Sequence, residues 1–137
     1  MVTTTLGHAV YCIDMANAGF YRDLLTFLGW SPIFETPDIL GFGDAAGVSL
    51  WFGAVTKDVA NHYDGPGLNH LAFAAASQAD VDAVVARLGE MGAAPLFETP
   101  RHRPEFGMGE GQTYYQVMFA SPDELLFEVV YTGPKQD

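Results

Sequence analysis

Three polar residues stand in apolar, strand-like sequence: His8 in "LGHAVYCI", His70 in "GLNHLAFA" and Glu128 in "ELLFEVVY". Imidazole nitrogens and carboxylate oxygens are common ligands of divalent cations. Two histidines and one carboxylate, with other positions left open, form a facial metal-binding set. Each residue also has an ordinary reading. A lone strand histidine is more often a hydrogen-bonded core or edge residue than a ligand. A glutamate can face water on an uncovered sheet. On a covered face, however, an unpaired carboxylate is costly and calls for a partner or a cation.

Which reading holds depends on the elements that carry the three residues, and the sequence repeats itself. Leu6 and His8 recur as Leu68 and His70, 62 positions on. "GWSPIFETP" at 29–37 recurs as "GAAPLFETP" at 92–100, 63 positions on. "FGDAAGVSLWFG" at 42–53 matches "FASPDELLFEVV" at 119–130 by pattern, 77 positions on. The growing offset implies a 14-residue insertion in the second copy, around "RHRPEFGMGEGQT" at 101–113. Three blocks in one order make a duplicated module the better account.

Each copy reads β-α-β-β-β. The first has a strand over 5–13, a helix over about 17–28 closed by Gly29, and strands near 31–35, 39–43 and 48–54. The second has a strand over 68–75, a helix entered at Ser77 with Asp80 three residues on, and strands near 94–98, 113–119 and 125–131. In the second helix Val81, Val84, Val85, Leu88 and Met91 fall on one apolar stripe, as an amphipathic helix requires. Gly29 and Gly92 suit the left-handed position after a helix.

Strand alternation then assigns faces. Ala9, Tyr11 and Ile13 oppose His8, Val10 and Cys12; Leu71, Phe73 and Ala75 oppose His70, Ala72 and Ala74; Phe127, Val129 and Tyr131 oppose Leu126, Glu128 and Val130. The three candidate ligands thus lie on the sheet face away from the helices. Both faces are largely apolar, which predicts cover on both. One helix on four short strands buries little surface alone. The expected fold is therefore α+β: two paired βαβββ modules, about 5–56 and 66–132, forming a U-shaped mixed sheet around a central cavity within a single domain of residues 1–137.

Composition narrows the partners. Six Lys and Arg against 17 Asp and Glu give a net charge of −11, which repels phosphate backbones, so nucleic acid is not expected. No basic amphipathic stripe or membrane span is visible. Cys12 is the only cysteine, which excludes an intrachain disulfide and a CxxC site. The start "MVTTTLGHAV" has no signal-peptide pattern, and the expectation is a cytoplasmic protein.

The segments "GHAVYCIDMANAGFYRDLLTFLGW" (7–30), "GPGLNHLAFAAASQADVDAVVARL" (65–88) and "YYQVMFASPDELLFEVVY" (114–131) resemble the vicinal oxygen chelate superfamily. That superfamily includes glyoxalase I, fosfomycin-resistance thiol transferases, extradiol dioxygenases, methylmalonyl-CoA epimerase and bleomycin-binding proteins. The resemblance covers most of the chain. It implies a U-shaped sheet around a divalent metal (Fe, Mn, Zn or Ni), with His8, His70 and Glu128 at the ligand positions. It also implies homodimers, some with exchanged modules. Where glyoxalase I has a fourth ligand, the repeat places Trp51, which cannot ligate. A three-ligand site is more similar to the thiol transferases or dioxygenases, although no Lys, Ser and Arg cluster resembles a phosphonate pocket. Glu124 stands where the family usually has glycine, a change expected to turn that hairpin differently.

The function expected is a divalent-metal-dependent enzyme acting on a small oxygenated substrate, through Lewis-acid stabilisation of an oxyanion or enolate. Lyase, isomerase, thiol-transferase and dioxygenase types all fit. The alternative is a metal-free small-molecule binder of the drug-sequestering, bleomycin-resistance type. Trp51, Cys12, Tyr115, Arg101 and Arg103 are candidate substrate-binding residues, each with core packing or solvated surface as its ordinary reading. The insertion could be a lid carrying positive charge or a solvated loop.

Overall fold

A computed structural model of the chain describes residues 1–137. It divides into two units, Met1–Ala60 and Asn61–Asp137. In the first, β1 (His8–Ile13) leads through a 3-10 turn (Met15–Asn17) into α1 (Ala18–Phe27), followed by β2 (Ser31–Thr36), β3 (Ile39–Gly43) and β4 (Ser49–Ala54). In the second, β5 (His70–Ala74) leads into α2 (Gln78–Glu90), β6 (Leu96–His102), a 3-10 turn (Pro104–Phe106), β7 (Gln112–Ala120) and β8 (Leu126–Pro134). The strand orders are β1-β4-β3-β2 and β5-β8-β7-β6. The architecture is α+β, with two βαβββ modules of identical topology. No helix is long and apolar enough to cross a membrane.

The duplication extends to the register. The parallel pair β1–β4 sets His8 opposite Ser49 and Val10 opposite Trp51. The parallel pair β5–β8 sets His70 opposite Leu126 and Ala72 opposite Glu128. His8 and His70 therefore hold one structural position, and Trp51 and Glu128 another. Both helices also close alike. Trp30 N–H donates to Leu25 O and Gly29 N–H to Thr26 O; Ala93 N–H donates to Leu88 O and Gly92 N–H to Gly89 O. These paired bonds form Schellman motifs, in which a left-handed residue lets the chain reverse onto the last carbonyls. Gly29 (φ 83°) and Gly92 (φ 72°) supply that conformation.

Each helix lies on its own sheet. In the first unit Tyr21, Leu24 and Leu25 of α1 are buried along with Leu40, Phe42, Leu50 and Phe52, and the rings of Tyr21 and Phe52 stack at 4.4 Å. In the second, Val81, Val84 and Leu88 of α2 are buried along with Val117, Phe119, Phe127 and Val129. Ser77 caps α2: its Oγ accepts the Asp80 N–H at 3.1 Å, and its hydroxyl donates to Asp80 Oδ2 at 2.8 Å.

Three expectations need correction. The face away from the helices is not covered throughout. The central strand β8 buries Leu126, Glu128 and Val130, whereas on the edge strand β1 Val10 is 60% exposed and His8 and Cys12 are exposed too. A central strand is walled by neighbours on both sides, and an edge strand on one. Second, the 121–124 hairpin keeps its left-handed residue: Glu124 adopts φ 59°. The Ser121 Oγ accepts N–H groups from Asp123 and Leu125, and Asn61 Nδ2 donates to Glu124 O at 2.9 Å. These bonds hold the strained residue without glycine. Third, the repeated "FETP" does not repeat its conformation. Phe34 to Thr36 pair along β2 with Gly41 to Ile39. Phe97 (φ 57°) and Glu98 (φ 60°) bulge out of β6, and the Thr99–Pro100 bond is cis. Buried Thr99 stitches this bulge, donating to Leu96 O at 2.6 Å and accepting the Met118 N–H at 3.0 Å. The insertion carries β6 on to Arg101 and His102, opposite Gln116 and Tyr115, whereas β2 ends where its copy of the motif ends.

Candidate functional site

The second unit brings two of the three candidate ligands together. Side chains at paired positions of neighbouring strands share a face. Because Ala72 is opposite Glu128, His70 two residues earlier is the diagonal neighbour of Glu128 on one face. His70 Nε2 lies 3.1 Å from Glu128 Oε2, with Glu128 2% exposed and His70 37% exposed. The carboxylate is thus almost wholly removed from water, among Ala72, Leu126, Val130 and Met118 on the same face.

Both outer atoms of the pair are engaged. Tyr114 OH donates to Glu128 Oε1 at 2.6 Å. Burial, the bond to Glu128 and that carboxylate's charge push the Tyr114 phenol up to about 12, against a smaller lowering by Arg103. His70 Nδ1 is 2.8 Å from Asn69 Oδ1. Asn69 Nδ2 in turn donates to Tyr63 O at 3.1 Å and lies 3.5 Å from Asp64 Oδ1. Tyr114 and Asn69 were not singled out from sequence. Alternation held the signal for Tyr114, since Val117 and Phe119 face the helix and even-numbered residues of β7 therefore share the face of Glu128.

The first unit holds the rest of the set. His8 begins β1 at the position equivalent to His70. Trp51, in the place of Glu128, lies flat on the sheet over Gly41: a Cβ there would stand 2.5 Å from the indole Cζ3. Its Nε1–H donates to Ser49 Oγ at 2.9 Å, and the Phe34 ring lies 6.0 Å away. Cys12 is exposed, opposite Gly53. Within either unit, no three His, Cys, Asp or Glu side chains gather as a metal-binding group.

A family model, described as the glyoxalase/bleomycin resistance protein/dioxygenase superfamily, matches residues 5–129. The chain belongs to this superfamily. Solved structures agree on the fold. A candidate glyoxalase from Bacillus halodurans is 26% identical with a TM-score of 0.78, over 93% of this chain and 95% of that one. A glyoxalase/dioxygenase from Nostoc punctiforme is 17% identical with a TM-score of 0.70, over 96% and 92%. The fosfomycin resistance protein FosX from Listeria monocytogenes, complexed with Mn(II) and sulfate, is 18% identical with a TM-score of 0.65, over 96% and 91%. No curated protein matches the sequence.

In this glyoxalase-superfamily chain, the His70–Glu128 contact is an ion-pair spacing that is also compatible with two ligand atoms on one divalent ion. Two ligand atoms bound side by side, each about 2.1 Å from one cation, stand about 3 Å apart, which is the spacing of His70 Nε2 and Glu128 Oε2. The hydrogen bond at Nδ1 is the outer contact that metal-binding histidines commonly make.

The remaining candidates make contacts of their own. Tyr115 belongs to the helix face of β7, where its OH donates to Asp82 Oδ1 of α2 at 2.7 Å; burial first, then Asp82, pushes it up to about 12. Arg101 is opposite Gln116, on the face of Glu128, and lies 3.7 Å from Glu98. Arg103 bonds Glu105 through Nε and sits 4.7 Å over the Phe106 ring. Phe106 meets Tyr114 edge-on at 5.5 Å. The insertion is fastened at its base: Arg103 N–H donates to Tyr114 O at 2.7 Å, and His102 Nδ1 lies 2.6 Å from Thr113 Oγ1.

Proposed function

We propose that this chain is a divalent-metal-dependent enzyme acting on a small substrate that presents two adjacent oxygens. The observation that carries the reading is the buried Glu128 carboxylate facing His70 Nε2 at 3.1 Å. The proposed ligands are His70, Glu128 and His8, the last from its repeat-equivalent position on β1, whether contributed by the same chain or by a second copy in a homodimer. When bound, the ion supplies Lewis-acid stabilisation of a substrate oxyanion or enolate. Around it the chain supplies a mostly apolar face. Ala72 and Ala74 leave room beside the ligand pair, and Leu126, Val130 and Met118 limit water. Arg101, on that same face, offers positive charge to an anionic substrate. Lyase, isomerase, thiol-transferase and dioxygenase reactions all draw on this chemistry.

Protein purified without chelators tests the reading by elemental analysis. The expected result is stoichiometric metal, lost in His70→Ala and Glu128→Gln and diminished in His8→Ala. Absence of metal, even after incubation with Mn(II), Zn(II), Ni(II) or Fe(II), would sink it. Trp51 favours a second reading, a metal-free binder of the drug-sequestering type. Its indole lies on the sheet, beside Phe34 and Val10, which are 51% and 60% exposed. Trp51 fluorescence quenched by an aromatic ligand in metal-free protein supports that alternative.

A further inference from the structure

We infer that Asn69 and Tyr114 are the positioning residues that present a single atom of each ligand, Nε2 of His70 and Oε2 of Glu128, to a shared cation. This inference rests on the metal reading above and deepens it. The Asn69 amide has one workable orientation. Its Nδ2 faces the Tyr63 carbonyl at 3.1 Å, with Asp64 Oδ1 at 3.5 Å, and both are acceptors. Oδ1 must then be the atom 2.8 Å from His70 Nδ1. An amide oxygen only accepts, so Nδ1 carries the hydrogen of that contact. In the neutral ring this leaves Nε2 as a lone pair directed at Glu128.

The carboxylate is arranged the same way from the other side. An ionised carboxylate only accepts, so the 2.6 Å contact is Tyr114 OH donating to Oε1. Oε1 is thereby occupied and Oε2 is left facing Nε2. Two acceptor atoms 3.1 Å apart repel unless positive charge lies between them; a divalent cation would supply it when bound, and a proton on Nε2 supplies it in the metal-free protein.

The insertion explains why Tyr114 is available. β3 corresponds through the repeat to the 116–120 part of β7, and residues 112–115 are an extension with no counterpart in the first unit. The same insertion carries Arg103 and Phe106, which hold Tyr114 by the backbone bond at 2.7 Å and the edge-on ring contact at 5.5 Å. The extra segment therefore acts as a strand extension that aims one hydroxyl at one ligand oxygen.

Calorimetric titration of metal-depleted full-length protein with Mn(II) tests this. Tyr114→Phe keeps the ring and removes the donor; Asn69→Leu keeps the approximate shape and removes the acceptor; Asn69→Asp keeps an acceptor oxygen. Tyr114→Phe and Asn69→Leu should each weaken Mn(II) binding by about 10-fold or more at unchanged stoichiometry, whatever the lost hydrogen bond does to the metal-free melting temperature. Asn69→Asp keeps the acceptor at His70 Nδ1 but sets a carboxylate oxygen against Tyr63 O and Asp64 Oδ1, and should lose less affinity than Asn69→Leu. Wild-type affinity in both Tyr114→Phe and Asn69→Leu overturns the inference and leaves the metal reading standing. A lowered metal-free melting temperature with wild-type affinity assigns a structural role and overturns it as well. No binding by wild type, or equal binding by His70→Ala, overturns the metal reading and this inference with it.

Discussion

Glu128 shows how much one misplaced polarity can convey. Its strand is otherwise apolar, and a carboxylate 2% exposed persists there because Tyr114 and His70 face its two oxygens. Trp51 is the same position solved with opposite chemistry. The indole needs the flat space that Gly41 leaves, since a Cβ would meet three ring carbons at 2.5–2.8 Å. Gly41→Ala should therefore push the ring off the sheet. The expected outcome is a loss of about 1–3 kcal/mol of stability in chemical denaturation, with a shift in tryptophan emission. Unchanged emission and stability would show that the indole does not depend on that gap.

At the scale of elements, the β7–β8 hairpin turns through a left-handed Glu124, where a non-glycine residue costs about 1 kcal/mol or slightly more. Ser121 and Asn61 hold the turn by hydrogen bonds. Glu124→Gly relieves the strain but loosens the unfolded chain, so the two effects partly offset. Stability should rise by less than about 1 kcal/mol, and metal content should stay the same; a fall in stability would mean that the Glu124 side chain contributes to the turn. The α2 stripe, both helix-closing glycines and the strand alternation were legible from sequence, because each follows from local periodicity or a single backbone demand. The bulge in β6 was not. Phe97 and Glu98 leave the strand because Thr99 bonds Leu96 and Met118, and Met118 lies on another strand.

For the whole molecule, titration gives a signed expectation. Tyr11, Tyr114 and Tyr115 are each held up to about 12, in every case chiefly by burial. In the unfolded chain these phenols ionise near the ordinary value of about 10. Between those two values the unfolded state binds fewer protons than the folded state, so stability falls as pH rises. Their contribution is fully present below pH of about 10 and is lost through about 12. Denaturation midpoints measured across that range should decline, and the decline should be shallower in Tyr114→Phe; a flat profile would contradict the burial of these phenols. The net charge of −11 acts separately: it should draw divalent cations in, with association slowed by added salt.

The sequence by itself determined the duplicated βαβββ module, the faces of its strands and the equivalence of His8 with His70 and of Trp51 with Glu128. Those features follow from period-two alternation and from matching blocks in one order at offsets of 62, 63 and 77, both readable along the chain before it folds. Alternation placed Tyr114 on the face of Glu128, but the tertiary structure alone decided that its hydroxyl reaches Glu128 Oε1, that Asn69 fixes the His70 ring, and that the insertion lengthens a strand. The Tyr114 contact and the strand extension depend on register, which is set by pairing between segments far apart in sequence, where a one-residue slip exchanges every side chain between the two faces; the Asn69 contact depends on how the 63–69 loop folds back.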